Sequence, residues 1–238
     1  MRFDKMMGLF LLNLSSAEMN IEKARFNMIE QQIRPWDVLD PEVLDLLTVV
    51  KREDFVPAAY KNLAFMDTQI PLGNGEYMFT PKLEARIVQD IAPKKHENVL
   101  EIGAGSGYMA ALLSHKARHV TTVEIDPELK AFAEHNLSSY GITNVDVVLG
   151  NGAQGWANQG TDAPYDVIVI SGSLPVLPDA FLKQIKVGGR IFAIVGVPPV
   201  MNAQIITRVS DTAYDTVKVF ETDVTPLREI QKPSHFVF

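Results

Sequence analysis

The chain contains no cysteine in its 238 residues. Disulfides, thiolate nucleophiles and cysteine-based zinc sites are therefore excluded, while the compartment is left open. Long apolar runs are missing too, since no stretch approaches the ~18–20 residues of a membrane span. Positive charge is scarce: 22 Lys and Arg stand against 29 Asp and Glu, for a net charge of −7. This disfavours a protein whose affinity rests on nucleic-acid phosphates, although a local basic patch could survive in an acidic total. Histidine gives no metal signature either. His96, His115, His119, His135 and His235 are scattered, without the paired spacing of metal ligands.

What is present suits one large α/β domain. Hydrophobic residues at 47% can build a substantial core, and 21% charged residues are ordinary for a soluble chain. The first 18 residues differ from the rest. Met6 to Leu12 is apolar, follows Arg2 and Lys5, and precedes Ser15-Ser16-Ala17, much like a secretory signal. The apolar part is short and Asp4 interrupts the basic flank, so residues 1–18 read instead as a disordered or loosely docked extension. The expected compartment is then the cytoplasm.

Residues 19–97 read as a helical cap with an acceptor-side segment. A helix over 20–32 places Ile21, Ala24, Met28 and Ile29 near one face, and Pro35 ends it. Asp40-Pro41 caps a second helix with Val43, Leu44 and Leu47 inward. Residues 53–80 carry Pro57, Pro71, Gly73 and Gly75 and read as an ordered irregular segment. Thr80-Pro81 repeats the cap-and-proline signal for a helix reaching about Ile91. Residues 98–238 read as alternating strands and helices. Strands are expected at Asn98–Ile102, His119–Glu124, Val145–Leu149, Tyr165–Ile170 and Arg190–Val195, with helices between them. Gln204–Val209 and Thr216–Glu221 alternate in polarity and read as an antiparallel pair. The fold class is thus α/β, a Rossmann-like and mostly parallel sheet with an antiparallel strand pair at its C-terminal end, preceded by a helical cap.

The densest signal is Val99-Leu100-Glu101-Ile102-Gly103-Ala104-Gly105-Ser106-Gly107-Tyr108. An apolar strand ends in an acid, and three glycines follow at alternate positions. Glycine tolerates positive φ and has no Cβ to hold a ligand off the backbone. The spacing is G-x-G-x-G, unlike the G-x-G-x-x-G of dinucleotide binders. Glu124 ends the next strand, where a carboxylate can accept from the two hydroxyls of a ribose; its plainer reading is a strand-end surface acid. Asn151-Gly152 follows the third strand, fit to pair with an adenine edge or simply to turn the chain. Glu101 beside the glycines would repel a pyrophosphate and attract an ammonium or sulfonium group. With no basic residue between Glu101 and Ser114, S-adenosyl-L-methionine is favoured over NAD.

The chain resembles the protein-L-isoaspartate O-methyltransferase family of class I methyltransferases. The resemblance runs in order through Arg52-Glu53-Asp54-Phe55-Val56-Pro57, Ile70 to Gly75, Val99 to Tyr108, Ala163 to Ile168 and Leu182 to Arg190, roughly residues 20–200. It implies S-adenosyl-L-methionine as cofactor and an isoaspartyl-containing protein or peptide as substrate, with neither nucleic acid nor membrane as partner. It also implies that Gly103, Gly105 and Gly107 hold the methionine part, Glu124 the ribose and Asn151 the adenine. Ala104, Ser106, Ile125 and Gly152 would lie beside them, with Glu101 at the head of the turn. The family usually has Gly-Gln-Thr-Ile-Ser before the proline of the next helix; here the segment is Gly75-Glu76-Tyr77-Met78-Phe79-Thr80-Pro81. Phe79 stands where that serine approaches the reacting carboxyl, so Phe79 and Thr80 are the candidate catalytic positions.

An isoaspartyl carboxylate is ionised at neutral pH and needs no general base, so the lack of an obvious one is compatible with a carboxyl acceptor. Thr80 or the Tyr77 hydroxyl could orient it in place of the serine. Alternatively Tyr77, Met78 and Phe79 line an apolar pocket for another small-molecule or protein acceptor, or pack under the cap. A non-catalytic cofactor-binding protein is the reading from another class, and a tRNA methyltransferase is disfavoured by the acidity.

Overall fold

The computed structural model describes residues 20–156 and 165–230. The extension over 1–18, Ala163-Pro164 and His235 lie outside the described residues. Helix α1 covers 20–28 and widens into a π turn at Ile29–Ile33, followed by a 3-10 turn at Arg34–Trp36. Its buried side is Arg25, Met28, Ile29 and Ile33, whereas Ile21 is exposed, contrary to expectation. The helix enters the core only from Arg25 onward, where the guanidinium pairs with Glu53. Helix α2, Pro41–Val49, starts as expected: the Asp40 carboxylate accepts from the Glu42 amide at 2.9 Å.

Residues 53–80 are more regular than their prolines and glycines suggest. Strands β1 (Ile70–Gly73) and β2 (Glu76–Met78) form an antiparallel hairpin. Its turn is Asn74-Gly75, both at positive φ, the pairing that matches a tight turn to the twist of two strands. The signal was present but flanked by only three or four strand residues. Helix α3, Pro81–Ile91, follows; Thr80 precedes it with extended backbone, yet its hydroxyl caps nothing.

The main sheet has seven strands in the order β5-β4-β3-β6-β7-β8-β9. Strands β3 (Asn98–Ile102), β4 (His119–Glu124) and β5 (Val145–Leu149) occupy the expected spans. Strand β6 is longer than expected, Tyr165–Leu174, and β7 runs Ile185–Val197 through the glycine pair at 188–189. These five strands are mutually parallel; β8 (Val200–Arg208) is antiparallel to both β7 and β9 (Tyr214–Thr222). Helices α4 (Tyr108–Lys116), α5 (Pro127–Ser139) and α6 (Asp179–Gln184) connect the parallel strands.

Alternation along the strands divides the core in two. Val99, Val120, Val167 and Val169 face one apolar cluster shared with the cap and α4, while Leu100, Ile102, Ile168 and Ile170 face another shared with Phe181 of α6. Arg190 locks cap to sheet. It donates to both Glu97 carboxylate oxygens at 2.8 and 2.9 Å and to the Ile91 and Ala92 carbonyls that end α3.

Candidate active site

The carboxyl ends of β3, β4, β5 and β6 open into a cleft of about 740 Å³, counted out to its mouth. Its floor is the turn between β3 and α4. Gly103, Gly105 and Gly107 all have positive φ, at 94°, 52° and 82°. A Cβ on Gly103 would come within 3.1 Å of the Ser171 carbonyl, and one on Gly107 within 3.2 Å of the Ala133 carbonyl on α5. The first glycine therefore serves the cleft and the third serves helix packing. Asn136 of α5 steadies the turn from behind, donating to the Ser106 carbonyl at 2.9 Å.

Two buried acids stand beside this turn, and one of them, Glu124, holds it. Glu124 accepts from the Gly105 amide at 2.9 Å through one oxygen and from the Asp126 amide at 3.0 Å through the other. Glu101 is opposite Thr122 in the β3–β4 register, and the Thr122 hydroxyl donates to it at 2.7 Å. The Ser171 hydroxyl donates to the other Glu101 oxygen at 2.8 Å. Burial pushes the Glu101 carboxyl up to about 8, against the pull of those two hydroxyls. Without a cationic ligand it is therefore largely neutral at pH 7.

Of the expected cofactor residues, Glu101, Gly103, Ala104, Gly105, Ser106, Glu124, Ile125, Asn151 and Gly152 all line the cleft; Gly107 lies beneath it. The Asn151 side chain is engaged locally, accepting from the Ala153 amide and donating to Glu229, each at 2.9 Å. Gly152 permits close approach: a Cβ there would meet Ile102 Cδ1 at 2.7 Å.

The opposite wall comes from the β1–β2 hairpin and the residues after it. Leu72 leans over the turn, its Cδ1 atom 3.1 Å from where a Gly105 Cβ would stand. Tyr77, Met78 and Phe79 line the cleft, and Thr80 does not. Phe79 is positioned through its backbone. Its carbonyl accepts at 2.6 Å from Arg52, which is 1% exposed and also donates to the Ala64 carbonyl at 3.0 Å. The same guanidinium pairs with Glu84 on the first turn of α3, another cleft residue whose carboxyl burial raises to about 8 despite the nearby cation.

Sequence reasoning missed the last segment of the site. Residues 224–230 cross the cleft after β9, where Leu227 donates its amide to the Ser173 carbonyl at 3.0 Å. Leu227 packs so closely that a Cβ on Gly172 would lie 2.6 Å from its Cδ2 atom. Arg228 then reaches back to the hairpin and to the start of α5, donating to Glu76 at 2.6 Å and to Asp126 at 3.1 Å. Nothing local to Pro226-Leu227-Arg228 marks it as part of a site. Thr122 was likewise unmarked, being legible only through strand register. Among the described residues there is no cluster of metal-ligating side chains.

A glycine turn braced by a strand-end acid, at the carboxyl edge of a mostly parallel seven-stranded sheet, defines the class I methyltransferase fold. Within that class the chain belongs to the protein-L-isoaspartate(D-aspartate) O-methyltransferase (PCMT) family, whose model matches residues 23–227. It is 39% identical over 194 residues to protein-L-isoaspartate O-methyltransferase 1 of Rhodopseudomonas palustris, covering 82% of this chain and 77% of that relative. Identity to protein-L-isoaspartate O-methyltransferase 2 of Marinobacter nauticus is 34% over 209 residues, covering 87% and 94%. A solved protein-L-isoaspartate O-methyltransferase superposes with a TM-score of 0.70 at 25% identity, over 87% of this chain and 65% of that one. A Plasmodium falciparum structure in complex with S-adenosyl-L-homocysteine superposes at 0.73 with 16% identity over 85% and 97%, a likeness of fold.

Proposed function

We propose that the chain transfers a methyl group from S-adenosyl-L-methionine to the free carboxyl of L-isoaspartyl residues in damaged proteins. Family membership across residues 23–227, together with a glycine turn held by Glu124 and flanked by the buried Glu101, carries this reading. The residues suit the cofactor chemically. The cradle admits close backbone approach, and the acids offer charge to a cationic ligand and acceptors to hydroxyls. When bound, the cofactor supplies a sulfonium methyl for in-line displacement.

Glu101 would face the cationic methionine portion, giving up its proton as the ligand's charge replaces it. Each Glu124 oxygen already accepts one backbone amide and retains a further lone-pair site, enough for a ribose diol. Asn151 and Gly152 would border the adenine, and Gly103 and Gly105 the methionine part. An acceptor carboxylate arrives as its own nucleophile, so no side chain has to remove a proton. What remains for the protein is to align the two reactants and exclude water. Leu72, Met78, Phe79 and Leu227 provide the apolar wall for that, with the Phe79 backbone fixed by Arg52.

The test is incubation with methyl-labelled cofactor and paired peptides that differ only in isoaspartyl or aspartyl linkage. Label is expected on the isoaspartyl peptide alone. Intact cofactor binding with no transfer to it overturns the acceptor assignment.

A further inference from the structure

All the charged side chains lining the cleft are acidic except one, among the described residues. Glu76, Glu84, Glu101 and Glu124 stand against Arg228 alone. This suits a cationic cofactor but leaves a carboxylate acceptor with a single attractive partner. Arg228 is also placed to serve one. It lies at the mouth, its side chain 32% exposed, between the hairpin that carries Tyr77 and the amino end of α5.

A guanidinium has five N–H donors. Three are used here: Nε on Glu76 at 2.6 Å, Nη1 on Asp126 at 3.1 Å and Nη2 on the Asn74 carbonyl at 3.2 Å. Two remain, one on each terminal nitrogen, the number a carboxylate takes in a two-point contact. The three anchors fix the group without exhausting it. The Asp126 carboxylate is itself occupied, capping α5 through the Glu128 amide at 2.9 Å and accepting from Asn74 at 2.9 Å. Glu76 is the partner that competes most directly for the cation.

We propose that Arg228 binds the acceptor carboxylate, taking over the orienting contact that no side-chain hydroxyl supplies at Phe79. The proposal rests on the isoaspartyl reading above and adds to it the residue that receives the substrate. Its chemistry has a particular signature. The acceptor is an anion before transfer and a neutral ester afterwards, so the grip is strongest on the substrate, fades during displacement and releases the product. Arg228 therefore acts mainly on substrate binding and much less on the chemical step.

The experiment compares the full chain, R228Q and E76Q, using labelled S-adenosyl-L-methionine and an isoaspartyl peptide, with cofactor affinity measured by calorimetry. R228Q should raise KM for the peptide tenfold or more, with kcat and cofactor affinity within about threefold of the parent. E76Q removes the competing charge while keeping an acceptor for Nε, and should lower KM. An R228Q peptide KM within twofold of the parent overturns the proposal. So does a matching rise in E76Q, or a loss of cofactor affinity in R228Q as large as the rise in KM, since either marks a tie that only holds the 224–230 segment. If the parent chain does not methylate the peptide, the isoaspartyl reading falls and the proposal with it. A parent that turns over while R228Q keeps its KM removes the proposal alone.

Discussion

Glu124 accepts the backbone amide of Gly105 at 2.9 Å, so the acid that ends β4 also holds the middle glycine of the turn after β3. One side chain thus shapes the cradle and faces what the cradle contains. Glu124→Gln keeps the size but loses the charge and part of the accepting capacity. Cofactor affinity should fall by about 1–3 kcal/mol, the range for leaving buried partners unsatisfied. Calorimetry with S-adenosyl-L-homocysteine measures it, and an unchanged Kd would place the ribose elsewhere.

Glu101 and Glu84 both have carboxyls raised by burial to about 8 from an ordinary 4.5. A raised carboxyl binds more protons in the native than in the unfolded state between those values. Its contribution to stability is complete below about pH 4.5 and is lost as pH climbs through about 8. Thermal unfolding of the ligand-free protein should therefore show Tm declining from about pH 5 to about pH 8 and levelling above it, less steeply in Glu101→Gln. Asp126 runs the other way. Hydrogen bonding from Asn74 holds its carboxyl below the usual range, so that contribution disappears in acid.

Binding of the cationic cofactor should draw a proton from Glu101. Affinity is expected to rise with pH up to about 8 and then level off, with proton release visible as a buffer-dependent binding enthalpy. Equal enthalpies in buffers of different ionisation heat would show that Glu101 does not meet the positive charge.

Gly103→Ala places a Cβ 3.1 Å from the Ser171 carbonyl at a φ of 94°. Strain of this kind costs about 1–3 kcal/mol. Urea unfolding should register that loss, and cofactor binding should fail with it if the turn that floors the cleft must move. A variant of parental stability and affinity would mean that the turn does not need glycine there.

Arg52→Ala takes a donor away from the buried Glu84 carboxyl and from the Ala64 and Phe79 carbonyls. Each buried acceptor left without a donor costs about 1–3 kcal/mol. Replacing Glu84 as well relieves one of these groups but leaves both carbonyls without a donor, and turnover should still be impaired because Phe79 loses its hold in either case. Stability from chemical denaturation and kcat from the labelled-methyl assay separate the two effects.

Much of this molecule is legible in local pattern. Strand β3 and its glycine turn could be read because an apolar run, an acid and alternate glycines are a local requirement of backbone geometry. Asp40 could be read because a cap acts within three residues. The hairpin at Asn74-Gly75 was under-read, its strands being too short to show alternation. Strand β8 was under-read as well: its antiparallel pairing to β7 depends on the return at Pro198-Pro199, which also reads as a loop.

Local pattern was enough for the α/β class, the glycine turn and the acids at the ends of β3 and β4. It took the folded chain to show that Thr122 and Ser171 meet on Glu101, that Arg52 reaches Phe79 and that Arg228 crosses to Glu76. The last of these joins residues 152 positions apart. Contacts of that kind follow from strand order, register and the path of the chain after β9. No local pattern encodes them, because their energy exists only once the sheet has assembled.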